Sequence, residues 1–388
     1  MILIYLQKHL IKILILSFMT LTFVFLYENI NAFLTKNIIT SPMFIKYKLF
    51  NEGRFPGVIY LGDNSVLFIW GAKKINAALS EDGGMTISRK IAVDKAAING
   101  GGALYDKESK KIHLFGQNKH PPADLYQYVS SDKGKNFIKK PLNLIENIDN
   151  KVQLHFSGNG SRLLSNKCSG NLIRPTRVYG IKDGYNNAIY SSDGGLTWKI
   201  SKKFPILSTG EGAITELSNG NLIYSSRRHW FKSNNKNNRF RVFAISKDCG
   251  RSWENEFISS LPDGPMFRDI IKPMGPTFQG HYGLMGDLIS LNYKGSNILL
   301  HSMVYRKDHL RKDLRIFYSI DNGISWKKTT SIHPGPSAYS TLALVGNPRD
   351  TKLSDKIVIH FEGGEDKEYQ GSYVAIVNLK WIFENFEQ

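Results

Sequence analysis

Three arginines stand at strand edges far apart in the chain, and side chains of this type bind carboxylates. Arg54 begins the sequence Arg-Phe-Pro, Arg227 ends a strand-like run, and Arg311 stands just before another. A guanidinium group holds a carboxylate through two parallel hydrogen bonds, so three of them around one carboxylate form a strong anion site. Such a site needs a fold that brings distant strand edges to one spot.

A short repeat indicates what that fold is. It reads Ser, any residue, Asp, any, Gly, any, Thr or Ser, then an aromatic, and its clearest copy spans residues 191–198. The Asp can bond backbone N–H groups further along the turn, and the Gly supplies a positive φ. We call this unit the Asp box and expect each copy to close a β-hairpin, with the aromatic packed beneath the turn. Full or degraded copies begin at Ser80, Ser130, Ser191, Ser246 and Ser319.

The distances between the copies are typical of a β-propeller. Consecutive copies begin 50 to 73 residues apart, with several short alternating strands between them, which suits one blade per copy. We therefore predict an all-β chain in which residues 36–388 form a six-bladed β-propeller with Asp-box hairpins. Five blades would carry a box and one would not, and the N- and C-terminal strands would pair within one blade.

Between the boxes, the chain resembles the bacterial and animal exo-α-sialidases. Residues 54–56 are similar to that family's Arg-Ile-Pro motif. Residues 211–222 are similar to its Glu-x-x-x-x-Glu-Leu-x-x-Gly-x-Leu segment, which runs on to Arg227. Residues 337–342 resemble the segment of the catalytic tyrosine, and two shorter motifs at 311–314 and 361–362 resemble those of the third arginine and of a late glutamate. These motifs follow the family's order from about residue 50 to 380.

The resemblance implies a role for each of these residues. The carboxylate that sialic acid carries on its anomeric carbon would bind the three arginines. This carboxylate would repel an anionic nucleophile, so a neutral tyrosine hydroxyl is the better attacker. Tyr339 would be that nucleophile, Glu211 would take its proton, and Glu362 would hold Arg54 in place.

One part of the family's pattern is missing. The family has an Asp that acts as general acid on a loop shortly before the first Asp box, whereas the corresponding residues 71–78 contain neither Asp nor Glu. Three interpretations stay open. Another group supplies the proton, such as Lys73, Lys74 or an acid from residues 106–124. The substrate has a leaving group that needs little protonation, or the protein binds its ligand with little turnover.

Three functions follow, from different classes. The first is an exported sialidase-like glycosidase that releases terminal sialic acid, or a related nonulosonic acid, with retention of configuration. The second is a sialic-acid-binding propeller with little or no catalysis, and the third is an Asp-box scaffold for protein partners. A nucleophile and its base would serve no purpose in a pure lectin, which favours the enzyme. The mechanism requires no cofactor or metal.

The net charge of +18 and the isoelectric point of about 9.6 favour an anionic partner. The basic residues are scattered, so we expect an acidic or sialylated glycan and no nucleic acid. Two cysteines, Cys168 and Cys249, establish no disulfide framework, although one bridge could form. The position of Cys249 within an Asp box predicts an exposed turn residue.

The N-terminus reads as a targeting segment. Basic residues precede an apolar run at 13–27, as in a secretory signal. Residues 1–35 are therefore either a cleaved signal peptide or an uncleaved anchor that holds the protein to a membrane through residues 1–27. Both alternatives predict a secreted, periplasmic or otherwise extracytoplasmic protein.

Overall fold

The fold is built almost entirely of β-strands. The computed structural model describes residues 40–145, 153–178, 184–229, 240–263, 266–267, 281–305 and 311–386. The residues from Pro42 onward form one compact unit. Across the described residues no helix is both long enough and apolar enough to cross a membrane. The predicted targeting segment at 1–35 lies outside the described residues. The all-β prediction is confirmed.

The strands, in chain order, are Phe44–Phe50 (β1), Gly57–Gly62 (β2), Ser65–Trp70 (β3), Ile75–Ser80 (β4), Arg89–Asp94 (β5), Ile98–Asn99 (β6), Leu104–Asp106 (β7), Lys111–Gln117 (β8), Leu125–Ser130 (β9), Ile138–Pro141 (β10), Leu154–Phe156 (β11), Ser161–Arg162 (β12), Leu172–Val178 (β13), Tyr185–Ser191 (β14), Lys199–Ile200 (β15), Gly212–Glu216 (β16), Leu222–Ser226 (β17), Phe240–Ser246 (β18), Glu254–Pro262 (β19), Met266–Phe267 (β20), His281–Tyr282 (β21), Leu288–Tyr293 (β22), Ser296–Val304 (β23), Lys312–Ser319 (β24), Lys327–Lys328 (β25), His333–Val345 (β26), Lys356–Gly363 (β27) and Gly371–Asn378 (β28). One short helix, Leu379–Glu384 (α1), follows the last strand.

The strands form antiparallel sheets that follow one another along the chain. The first sheet runs β2-β3-β4-β5, the second is built around β8 and β9, the third around β13 and β14, and the fourth runs β16-β17-β18-β19. The strands β22 to β28 join β1 in one larger sheet, in which β24 connects to β26. In it the N-terminal strand pairs with the C-terminal one, with Phe44 opposite Val377. This pairing was predicted from the sequence.

The Asp boxes close hairpins, as their residue types predicted. In the clearest copy, Ser191 Oγ donates to Asp193 Oδ1 at 2.7 Å, and the backbone N–H of Thr197 donates to the same oxygen at 3.0 Å. The Ser-to-Asp bond recurs at 2.7–2.8 Å in all five boxes. Each box follows directly on a strand that pairs with the next strand along the chain. The repeat therefore fixes where the outer hairpin of a sheet turns.

The boxes also connect neighbouring sheets. The ring of Trp198 is fully buried and lies edge-on against Phe115 of the preceding sheet, with ring centroids 5.2 Å apart. Gly195 has a φ of 81°, and a Cβ at this position would lie 2.6 Å from the ring of His113. Only glycine combines that backbone conformation with such a close approach. The third box is thus packed onto the second sheet by both its aromatic residue and its glycine.

Cys249 is not the exposed turn residue that the sequence predicted. It forms a disulfide with Cys168, and only 4% of Cys249 is exposed. The reason is the bond to Cys168: the equivalent box residues Lys133 and Asn322 share its positive φ and are exposed, whereas Cys249 is covered by the chain to which it is bonded. The bridge lies in an apolar cluster shared by the third and fourth sheets, which includes Ile173 and Trp253.

We expect protonation of the box carboxylates to destabilise the fold in acid. Burial alone would raise the pKa of Asp82 and of Asp132, but hydrogen bonds from the turn outweigh it and lower each pKa from 3.8 to about 2. The ionised carboxylates therefore stabilise the fold fully above about pH 4, and this contribution disappears as the pH falls toward 2. Melting temperatures measured from pH 5 to pH 2 should fall less steeply for Asp82→Asn/Asp132→Asn than for the wild type. Parallel curves would contradict this origin of the acid sensitivity.

Removal of the disulfide should lower the free energy of unfolding by about 2–4 kcal/mol, because the bridge restricts the unfolded chain. It links positions that are 81 residues apart. Urea unfolding of Cys168→Ala/Cys249→Ala would measure this loss. A reductant should destabilise the wild type by a similar amount and leave the double variant unchanged. Equal effects of the reductant on both proteins would show that it acts elsewhere.

Candidate active site

The predicted site residues lie at one edge of the sheets. Glu211 immediately precedes β16 and Arg227 immediately follows β17, so the two face each other across the open end of one hairpin. A backbone bond from Arg227 N to Glu211 O, 3.0 Å long, closes that end. Arg311 precedes β24, and Arg54 precedes β2. The structure thus places residues from four separate chain segments together with Tyr339 of β26.

Tyr339 and Glu211 are hydrogen-bonded to each other. The hydroxyl of Tyr339 donates to Glu211 Oε1 at 2.9 Å. Arg227 Nη1 lies 2.5 Å from Glu211 Oε2 and 3.1 Å from the Tyr339 hydroxyl oxygen. All three side chains are buried. A tyrosine O–H is therefore already aimed at a carboxylate that could take its proton.

Glu362 connects Arg54 to the tyrosine strand. Its carboxylate accepts two bonds from Arg54 Nη1, at 3.1 and 3.0 Å. It also accepts the backbone N–H groups of Phe55 at 2.8 Å and of Tyr339 at 3.1 Å. Burial raises the pKa of Glu362, against the opposite pull of Arg54. With 31% of its side chain exposed, Arg54 keeps a face of its guanidinium toward the open side of the site.

Arg311 and Arg54 both contact Tyr369, which was not predicted as a site residue. Arg311 Nη1 donates to the hydroxyl of Tyr369. The guanidinium carbon of Arg54 lies 4.3 Å from the centre of the same ring, and that of Arg311 lies 5.9 Å from it. Both arginines, with Arg227, also act electrostatically on Tyr339. The three arginines therefore converge on one position beside the tyrosine.

Two further residues missed from the sequence hold Glu211. Arg177 Nη1 lies 3.0 Å from Glu211 Oε1, and His229 Nδ1 lies 3.4 Å from Oε2. Every residue of β13 is buried, yet this strand carries Arg177. The same strand also carries Arg174, which bonds the carbonyls of Gly101 and Gly102 instead, so the sequence does not distinguish the arginine that reaches Glu211. The only sign of His229 was its nearness to Arg227 in the chain.

The neighbouring charges explain why Glu211 is ionised while Tyr339 keeps its proton. Burial alone would raise the pKa of Glu211, but Arg177 and Arg227, followed by His229 and the Tyr339 hydroxyl, hold it well below its ordinary value. Burial and then the negative charge of Glu211 raise the pKa of Tyr339, while the arginines act in the opposite direction. Glu211 is thus an anion and Tyr339 a neutral hydroxyl at neutral pH.

No carboxyl group lies on the turn between β3 and β4. The turn, residues 71–74, lines a cavity of about 390 Å³ beside Arg54, together with Glu52 and Lys95. Lys74 Nζ lies 2.9 and 2.8 Å from the two carboxylate oxygens of Glu52. The structure therefore pairs Lys74, one of the proton donors that the sequence left open, with an acid.

Replacement of Glu211 by glutamine should destabilise the protein by about 3–5 kcal/mol, because the buried Arg177 and Arg227 would lose their anion. Urea unfolding of Glu211→Gln would measure this loss. Tyr339→Phe is the matched control, since it keeps every charge and removes only two hydrogen bonds, one donated to Glu211 and one accepted from Arg227; we expect a loss of about 1–2 kcal/mol. Equal stability of Glu211→Gln and the wild type would show that Glu211 does not balance these charges.

The chain matches a known repeat family and shows partial sequence similarity to known sialidases. Residues 74–354 match the BNR repeat-like domain family. A sialidase of Vibrio cholerae is 26% identical over 199 residues, which is 46% of this chain and 24% of that protein. A sialidase of Paraclostridium sordellii is 40% identical over 70 residues, 18% of this chain and 15% of that protein. The match thus covers less than a quarter of either relative.

Solved sialidase structures resemble the fold over most of the chain. The structure described as Hadza microbial sialidase Hz136 superposes with a TM-score of 0.63 at 18% identity, covering 85% of this chain and 66% of that one. Trypanosoma rangeli sialidase in complex with sialic acid superposes with a TM-score of 0.63 at 15% identity, covering 89% of this chain and 60% of that one. At these identities the likeness concerns the fold.

Proposed function

Because the chain belongs to the sialidase family with BNR repeats, we propose that it is an exported glycosidase that releases terminal sialic acid, or a related nonulosonic acid, from glycoconjugates. The observation that carries this proposal is the hydrogen bond from the Tyr339 hydroxyl to Glu211, with Arg227 against both. A neutral hydroxyl beside an ionised base is what a tyrosine nucleophile requires.

We propose that the sheets are the blades of a closed, six-bladed β-propeller. Four consecutive sheets, the strands β22 to β25, and the strands β26 to β28 with β1 would supply six blades. The pairing of β1 with β28 supports closure, because it joins the two ends of the chain. In such an architecture, loops and strand ends of different sheets would come together around one axis.

Arg54, Arg227 and Arg311 would bind the carboxylate of the substrate. Their convergence beside Tyr339 supports this role. Glu362 would keep Arg54 in place, since it bonds both that guanidinium and the backbone of Tyr339. The arginines would then place the anomeric carbon, which bears the carboxylate, next to the tyrosine hydroxyl.

The reaction would proceed with retention. Tyr339 would attack the anomeric carbon as its proton passes to Glu211, and water would then release the sugar from the tyrosine. A carboxylate nucleophile would be repelled by the substrate's own carboxylate, whereas the tyrosine is neutral until it reacts. The arginines near Tyr339 would stabilise the phenolate character that develops in the transition state.

Export has independent support in the disulfide. Bridges such as Cys168–Cys249 persist in oxidising compartments and are rare in the cytosol. We therefore propose an extracytoplasmic location, with residues 1–35 as a signal peptide or as an anchor in a membrane. The substrate would be a sialylated glycan or another acidic sugar.

The test is hydrolysis of an aryl sialoside, whose leaving group needs little protonation. We expect Tyr339→Phe to lower kcat/KM by at least about 100-fold, the lower end of what one catalytic group contributes. Tyr105→Phe is the control, because this tyrosine lies near Asp63 at the opposite end of β3 from Arg54. NMR should show the α-anomer as the first product.

Equal activity of the wild type and Tyr339→Phe would refute the nucleophile. Turnover by neither protein, together with retained binding of sialic acid, would instead establish a sialic-acid-binding propeller without catalysis.

A further inference from the structure

We infer that His120 is the proton donor of this site, in place of the carboxylic acid that the turn at 71–74 lacks. This inference rests on the proposed glycosidase function. A sugar alcohol is a poor leaving group, so its oxygen must gain a proton as the glycosidic bond breaks. The donor must therefore stand beside the Tyr339–Glu211 pair, on the side of that turn.

The topology puts His120 at this place. The turn at 71–74 joins β3 to β4 in the first sheet, and the turn at 118–124 joins β8 to β9 in the second. Each of these turns follows the second strand of its sheet, β3 in the order β2-β3-β4-β5 and β8 in the order β6-β8-β9-β10. In the fourth sheet the second strand is β17, and Arg227 immediately follows it. Neighbouring sheets thus present their equivalent turns at the edge where the site residues lie.

One ring contact and two electrostatic interactions connect His120 to the residues around the site. Its ring centre lies 5.6 Å from that of His155, which is buried. Both His120 and His155 lie within electrostatic range of Arg177, which bonds Glu211. His120 also interacts with Lys73 of the short turn. It therefore stands between the turn without an acid and the residues that hold the base.

The turn that carries His120 is held by its own hydrogen bonds. Asn118 Nδ2 donates to Asp124 Oδ2 at 2.7 Å, and the backbone N–H of Asp124 donates to Asn118 Oδ1 at 3.0 Å. Gln117 Nε2 donates to the carbonyl of Lys119 at 2.7 Å. His120 itself is exposed at the surface of this turn. Its imidazole is thus exposed on a turn whose own hydrogen bonds hold it in place.

A histidine can supply the proton that the first step needs and take up the proton that the second step releases. In the first step, the imidazolium of His120 gives its proton to the glycosidic oxygen as that oxygen leaves, while Tyr339 bonds the anomeric carbon and its own proton passes to Glu211. In the second step, neutral His120 takes a proton from water as the hydroxide attacks that carbon. Tyr339 leaves and recovers its proton from Glu211, and both catalytic groups return to their starting forms.

The surrounding charges set the pH range. Burial, then Arg177 and Lys73, lower the pKa of His120 below 6.5. His155 packs against the ring, and Asp124 is the carboxylate of the same turn. Since the acid form of His120 is the active one, cleavage of a natural sialoside should fall as the pH rises through this lowered pKa. Glu211 does not titrate in this range, because its pKa is held well below the ordinary value.

The other candidates for the proton donor are less suitable. Lys74 and Glu52 pair with each other, and the hydrogen bond from Lys74 is the main cause that lowers the pKa of Glu52, so its carboxyl is ionised. Asp106 is buried and bonds Arg162. Lys73 and Asp124 are exposed, so they are included in the test as rivals of His120.

The experiment compares a sialyl-lactose, whose leaving group is a sugar alcohol, with an aryl sialoside. We expect His120→Gln to lower kcat/KM for sialyl-lactose by about 100-fold or more and to change the aryl value by no more than a few fold. The fall in the activity on sialyl-lactose at higher pH should disappear in this variant. Lys119→Gln, an exposed neighbour on the same turn, is the matched control and should behave as the wild type.

Each contrary outcome has its own meaning. Equal losses on both substrates would make His120 a structural residue. A selective loss in Lys73→Gln or Asp124→Asn, with His120→Gln unaffected, would assign the proton to that residue. Either result would overturn the inference while leaving the glycosidase intact. An unaffected Tyr339→Phe, or a wild type inactive on both substrates, would overturn the proposed function itself, and this inference with it.

Discussion

The buried carboxylate of Glu211 is the centre on which the site depends. Two arginines and a histidine lie within 3.4 Å of its oxygens, and a tyrosine hydroxyl donates to it. A carboxylate this deeply buried is costly unless it is paired and hydrogen-bonded, and here every contact favours the anion. The same contacts fix Tyr339 and Arg227 in orientation. The arrangement therefore holds an ionised base against the hydroxyl of Tyr339.

The sheets position this carboxylate because the residues that close the hairpins and the residues that form the site lie at opposite ends of the strands. Asp boxes at one end of the sheets fix the outer hairpins through bonds within each turn, and their aromatic residues pack onto a neighbouring sheet. Strand ends at the opposite edge are thereby free to carry charged groups, including Arg54, Arg227 and Arg311. Glu362 links an early and a late part of the chain, since its carboxylate accepts hydrogen bonds from Arg54 and from the backbone N–H of Tyr339.

Much of this could be predicted from the sequence, because the repeat and the ordered motifs are local patterns. The box turns, the all-β fold and the pairing of the terminal strands follow from turn chemistry and periodicity. Arg177 and Tyr369 could not be found in this way, since their roles arise only from the packing of separate sheets. The prediction for Cys249 was wrong for a related reason: its burial depends on the bond to Cys168 in a distant part of the chain, not on the turn motif.

We propose that Tyr339 becomes covalently bonded to the sugar, and that bond can be trapped. A sialic acid with fluorine beside the anomeric carbon and fluoride as leaving group should form the tyrosine adduct and release it slowly, because fluorine destabilises the cationic transition state. Mass spectrometry of the intact protein should show one added sugar, and peptide mapping should place it on Tyr339. An adduct on another residue, or none in a protein that turns over aryl sialosides, would show that Tyr339 is not the nucleophile.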